Sequence, residues 1–130
     1  MNILDENIPE SQRQLLRSWK IKTKQIGHEI GRQGMKDDEI IPFLHKLRST
    51  NFFTRDLGFF RRQLCHSHYC LIILDVGQYE VASFIKRFLQ HPKFNTRTKR
   101  MNKIVRVTHI GMHAWHINAE KEEEIRWYIQ

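Results

Sequence analysis

Six acidic residues, Asp5, Asp37, Asp38, Glu39, Asp56 and Asp75, are scattered through a 130-residue chain whose charge balance is otherwise strongly basic. Hard divalent cations such as Mg²⁺ and Mn²⁺ take oxygen ligands of this kind, a few carboxylates completed by water and substrate phosphates. A cation so held activates water and neutralises charge developing at phosphorus. The chain carries 22 Lys and Arg against 14 Asp and Glu, a net charge of +8, and the excess is localised. Residues 1–40 balance to zero, residues 41–119 reach +10, and residues 120–130 stand at −2. A basic body suits a partner made of phosphates, because neutralising them releases counterions. It also keeps a small protein soluble, so the charge gains meaning only beside the acids. Bases that hold a polyanion and acids that hold the metal that cuts it form a coherent pair.

Scattered acids become a site only if the fold gathers them. Residues 1–4 form a short apolar strand stopped at Asp5, and Pro9 suits the first turn of a helix carrying Leu15, Leu16 and Trp19. Residues 20–23 alternate as a second strand, and Gly27, Gly31 and Gly34 punctuate the loop after it. Asp37, Asp38 and Glu39 precede Ile40, Ile41, Leu44 and Leu47, whose spacing describes one helical face, with Pro42 about one turn in. Residues 51–54 read as a third strand and 57–64 as a short helix. The unbroken apolar run over 70–74, closed by Asp75, suits a central parallel strand buried on both faces. An amphipathic helix over 80–90 follows, then a basic connector over 93–103, a fifth strand over 104–108 and an alternating segment over 112–117. Residues 120–130 read as a short helix or tail. This alternation calls for one domain over 1–130: an α/β fold, a three-layer α/β/α sandwich with a mainly parallel central sheet and an antiparallel C-terminal hairpin.

In such a sheet ligands bind outside the carboxyl ends of the strands. Asp5, Asp56 and Asp75 fall there, and the acidic triplet opens a helix entering from the same edge. Each acid also has an ordinary structural role available. Asp5 and Asp75 can cap helices, the triplet can complement a helix dipole, and Asp56 can pair with Arg55 or Arg61 on the surface.

The motifs around these acids resemble a known family. Leu4-Asp5-Glu6-Asn7-Ile8-Pro9 is similar to the LDENLP opening of PIN-like proteins of the DUF5615 group, Asp37-Asp38-Glu39-Ile40-Ile41 to their DEEIL helix start, and Thr54-Arg55-Asp56 to their TRD strand end. The three occur in order and register over residues 1–90. The resemblance implies a PIN-like fold, a metal-dependent ribonuclease site using Mg²⁺ or Mn²⁺, and a role as the toxin of a bacterial toxin–antitoxin pair related to VapC ribonucleases. It implies RNA as substrate and a cognate antitoxin protein as partner. Carried over by residue, Asp5, Asp37 and Asp56 are the metal ligands, and Thr54 orients Asp56. Asp38 is the alternative to Asp37, Asp75 is a fourth candidate, and Glu6 and Asn7 support the site or cap the first helix. A non-catalytic nucleic-acid-binding or protein-interaction module is the competing reading. Oligomeric state stays open, a homodimer included.

Arg55, Arg61, Arg62, Lys93, Arg97, Lys99, Arg100 and Lys103 are the candidate nucleic-acid contacts. Cys65, His66, His68 and Cys70 offer four zinc donors, but structural zinc sites join two separated ligand pairs, and Cys70 enters a buried strand. His109, His113 and His116 need not share a face. No glycine-rich phosphate loop is present. No apolar run approaches the roughly 20 residues that cross a bilayer, and the acidic N-terminus is unlike a signal peptide. Two cysteines are too few for a disulfide framework. Cytoplasmic residence is the expectation.

Overall fold

Strands and helices follow one another along the computed structural model, which describes residues 1–127. The elements are β1 (Asn2–Leu4), α1 (Glu10–Ser18), β2 (Lys24–Gln25), α2 (Asp37–Leu47), β3 (Thr50–Thr54), β4 (Tyr69–Leu74), α3 (Val81–Gln90), α4 (Arg97–Arg100), β5 (Lys103–Val107), β6 (Gly111–His116) and β7 (Glu123–Arg126). All seven strands join one sheet in the order β2-β1-β3-β4-β5-β6-β7. The pairs from β2 through β5 are parallel, and β5-β6 and β6-β7 are antiparallel. The protein is therefore an α/β sandwich with a mostly parallel sheet, as the alternation requires.

The sheet separates two cores. On one face α1 and α3 bury Leu16, Val81, Phe84, Ile85 and Phe88 against Leu4, Phe53, Cys70, Ile72 and Val105. On the other, α2 and the turns after β3 bury Ile40, Leu44 and Phe59 against Ile3, Phe52, Leu71, Ile73 and Ile104. Every residue of β4 is buried, which is why its sequence is continuously apolar and not alternating. Each fully buried aliphatic or aromatic side chain contributes about 1.5–3 kcal/mol. Polar Gln12 is buried as well, its Oε1 accepting from the Ala82 N–H at 2.9 Å and so satisfying a donor at the start of α3.

Several local expectations shift. The second strand lies at Lys24–Gln25, because the backbone turns through Lys20 at positive φ before pairing with β1. Residues 57–64 form two 3-10 turns, Leu57–Phe59 and Arg62–Leu64, and not one helix. Pro42 sits within α2, whose missing bond faces the carbonyl of exposed Asp38, where water can take its place. The basic connector contains the single helical turn α4, capped by Thr96. The expected C-terminal helix or tail contains instead strand β7, since pairing with β6 covers Met112 and buries Ile125; residues 128–130 of that segment lie outside the described residues. No helix among the described residues is long and apolar enough to cross a membrane.

The parallel order contains one reversal. From β1 the chain passes through α1 to β2 on one side, then through α2 on the other face to β3 on β1's opposite side. Loops leaving β1 and β3 thus diverge toward opposite layers, opening a crevice at their carboxyl ends.

Candidate functional site

Asp5 follows β1 and Asp56 follows β3, so both stand at that crevice. Asp37, the first residue of α2, completes it: Asp5, Glu6, Asp37, Arg55 and Asp56 line a cavity of about 350 Å³ floored by Ile8 and Ile40. Acids distant in sequence converge because β1 and β3 are hydrogen-bonded neighbours, the Asp5 N–H continuing their ladder to the Phe53 carbonyl at 2.9 Å.

Asp5 is held from both sides. Its Oδ1 accepts from the Glu6 N–H at 2.7 Å and its Oδ2 from the Thr54 hydroxyl at 2.6 Å. The same hydroxyl accepts from the Asp56 N–H at 3.1 Å. Thr54 therefore orients the carboxylate of Asp5 and only the backbone of Asp56, which differs from the role the resemblance implies. Asp56 Oδ1 accepts from Gly58 N–H at 2.8 Å, capping the 3-10 turn that follows β3.

The carboxylates feel one another. Burial pushes the Asp5 carboxyl above its ordinary value, and repulsion from Asp56 and Glu6 adds to this, against the hydrogen bonds from Thr54 and Glu6 N–H. The Asp37 carboxyl is also raised, by desolvation and then by the neighbouring Asp56 and Asp5 charges, while the Arg61 charge opposes the shift. A cluster in which ionisation is disfavoured by neighbouring anions is one that a cation relieves.

The acidic triplet divides. Asp37 lines the cavity. Glu39 accepts from the Lys36 N–H at 3.3 Å and pairs with Arg32, closing the helix start. Asp38 is exposed and does not line the cavity. Of the two candidates for the helix-borne ligand, geometry favours Asp37.

Asp75 does not join the others. Its Oδ2 receives Arg106 Nε at 3.1 Å and Nη2 at 2.8 Å from the neighbouring strand β5, and it lines a different cavity with His109 and His113. Arg55 reaches from the acid cavity toward it, donating from Nε to the Val76 carbonyl at 3.1 Å.

The candidate nucleic-acid residues divide between the two ends of the sheet. Arg55 and Arg61 are at the acids. Arg62 packs over Trp115 and donates to the Ile117 carbonyl at 3.1 Å, and Lys93 pairs with Glu123. Lys99 bonds the Pro92 carbonyl at 2.6 Å within its own loop. Arg100 holds Asn51 near the start of β3, Arg97 acts on nearby Met1, and Lys103 opens β5. The connector thus sits at the amino end of strands whose carboxyl ends carry the acids, roughly 16 Å away for five residues at about 3.3 Å each.

The zinc donors are likewise divided. Cys65 belongs to the α2-side core and Cys70 to the opposite core. His66 stacks on His45 at 4.1 Å between ring centroids. His109 pairs with Glu80 and His113 approaches Glu122 at 3.6 Å.

Of two residues that support the site, Gln25 carries no sequence signal, whereas Glu6 belongs to the opening motif. Gln25, 1% exposed, donates from Nε2 to the carbonyls of Asp5, Glu6 and Ile8 at 2.9–3.3 Å, holding the turn that presents Asp5. Glu6 does not cap α1; its two oxygens accept from the Gly34 N–H at 2.9 and 3.1 Å, drawing the glycine loop over the site. A lone Gln in a polar stretch looks alike whether it faces solvent or three backbone carbonyls. In comparisons with known proteins, no family model, curated protein or solved structure matches this chain.

Proposed function

We propose that this chain is a PIN-like, divalent-metal-dependent endoribonuclease whose centre is the cavity of Asp5, Asp37 and Asp56. One observation carries the reading: the acids of three separate family-like motifs line a single cavity at the switch point of the sheet.

The donor chemistry fits Mg²⁺ or Mn²⁺, though the side chains as they stand do not form a ready-made cage. Among the described residues, no group of three or more His, Cys, Asp and Glu is arranged to hold an ion. Mg²⁺ is commonly held by one or two carboxylates with water and substrate phosphate, and Asp37 and Asp56 are neighbours in the cavity, where the Asp56 carboxylate helps to disfavour the charge on Asp37. These two would hold the ion, with Asp5 as the fixed carboxylate behind them. The ion supplies charge neutralisation at phosphorus and a more acidic water. Thr54 and the Glu6 N–H fix the direction of Asp5, and the crevice admits a phosphodiester between the acids and Arg55. Arg61, near enough to act on Asp37, offsets negative charge that a polyanion brings.

Cleavage of a labelled single-stranded RNA in Mn²⁺, set beside EDTA and beside Asp56→Asn, tests the assignment. Loss of about 100-fold or more in rate is expected, corresponding to several kcal/mol of charge stabilisation. Equal cleavage by Asp56→Asn would exclude this centre.

The toxin role rests on the resemblance, and growth arrest on expression, relieved by a co-expressed neighbouring gene, tests it. The alternative, a non-catalytic nucleic-acid-binding module, draws on Arg55 and Arg61, which give the cavity phosphate-holding charge without a metal. RNA retention in EDTA with no Mn²⁺ uptake distinguishes it.

A further inference from the structure

At the edge of the sheet opposite the acids, where the parallel strands begin, cationic side chains flank a ladder of hydrogen bonds. The Lys22 carbonyl accepts from Asn2 Nδ2 at 3.1 Å, Asn2 Oδ1 from Asn51 Nδ2 at 2.8 Å, and Asn51 Oδ1 from Arg100 Nε at 3.2 Å. The ladder fastens the segment before β2 and the end of α4 to one edge, although they are far apart in sequence. On the β2 side a cavity of about 570 Å³ is lined by Arg17, Lys20, Lys22 and Lys24 around apolar Met1 and Ile21, and its lining includes no acid. On the α4 side Arg97 and Arg100 both act on Met1, and Lys103 opens β5.

We propose that this edge is a binding site for single-stranded nucleic acid, with phosphates along the cations and an unstacked base in the apolar-floored cavity. Single strands are held by a positive track that follows the backbone and by apolar or aromatic surface for the bases. From β2 to β5 the edge crosses four strand spacings, about 19 Å at roughly 4.8 Å each, a length that meets several phosphates. A run of like charge without interleaved acids is self-repelling until a polyanion covers it. The edge lies beyond the carboxylates, so its binding depends on neither the metal nor cleavage. If the acid cavity cuts RNA, this edge retains a part of the strand remote from the scissile bond.

The test is fluorescence anisotropy with a labelled single-stranded RNA of about 12 nucleotides, and the DNA of the same sequence, in EDTA at 50–200 mM salt. Exposed Arg17, Lys22 and Lys24 are changed together to Gln, and exposed Arg97 separately to Gln. The triple variant should bind at least about tenfold more weakly, with its salt slope reduced by about 2, and Arg97→Gln should lower the slope by about 0.7. Exposed Arg126→Gln, a base on β7 at the opposite end of the sheet and outside the acid cavity, should bind as the unsubstituted protein does, which separates this edge from a general loss of positive charge. Unchanged affinity and slope in both edge variants would overturn the proposal. So would preference for anionic vesicles or polyglutamate over either nucleic acid. If the triple variant melts early, Lys22→Gln alone decides, with the same slope change as Arg97→Gln expected.

Discussion

The hydroxyl of Thr54 donates to Asp5 Oδ2 at 2.6 Å across two neighbouring parallel strands, and it accepts from the N–H of Asp56 on its own chain segment. One fully buried side chain thereby couples the two strand-borne acids of the crevice. Thr54→Val keeps the shape and removes both bonds. Leaving a donor and an acceptor unpaired should cost about 1–3 kcal/mol, read by urea denaturation. Because the carboxylate also loses its orienting partner, Mn²⁺ affinity by calorimetry should fall roughly 10- to 100-fold. Thr54→Ser should retain most of both.

Asp37 and Asp38 are adjacent in sequence, yet only Asp37 lines the cavity. Asp37→Asn should abolish measurable Mn²⁺ uptake in calorimetry, whereas Asp38→Asn should leave it within about twofold, as expected of an exposed acid outside the site. Equal losses would show that the helix start offers both carboxylates.

The raised Asp37 carboxyl has a definite pH signature. Its folded value lies above its unfolded one, so the folded state binds more protons over that interval and loses stability as pH rises through it. Without metal, ionised Asp37 therefore destabilises the protein at neutral pH. Asp37→Asn should melt higher than the unsubstituted protein at pH 7 in EDTA, and the difference should vanish below about pH 4, where both side chains are neutral. A melting difference independent of pH would contradict the electrostatic origin.

Gln25 supports the site without touching the chemistry. Gln25→Leu removes its three donations to the turn over 5–8, one of them a buried bond to the Ile8 carbonyl. A loss of about 3 kcal/mol in unfolding free energy is expected, together with weakened Mn²⁺ binding, because the turn that presents Asp5 is no longer held.

Much of this architecture is legible in the chain alone. Helix and strand periodicity depend on near neighbours, so the apolar faces of α2 and α3 and the doubly buried run of β4 declare themselves. An acid at the end of an apolar strand likewise marks a ligand-facing edge. Other features depend on which strand lies beside which. Asp5 and Asp75 look alike in sequence, each closing an apolar run. Asp5 faces Thr54 and Asp56 because β1 neighbours β3, and Asp75 is held in an ion pair because β5 brings Arg106 beside it. The choice of Asp37 over Asp38 is a matter of helix rotation, which packing of Ile40 and Leu44 sets. The conversion of residues 123–126 into a strand needed the open edge of β6 as a partner. The sequence by itself determined the α/β class, the basic centre of the chain and the small set of acids. Only the tertiary structure decided that three acids meet and that the basic connector lies at the far end of the sheet. Those outcomes rest on contacts between residues many positions apart, which no local pattern encodes.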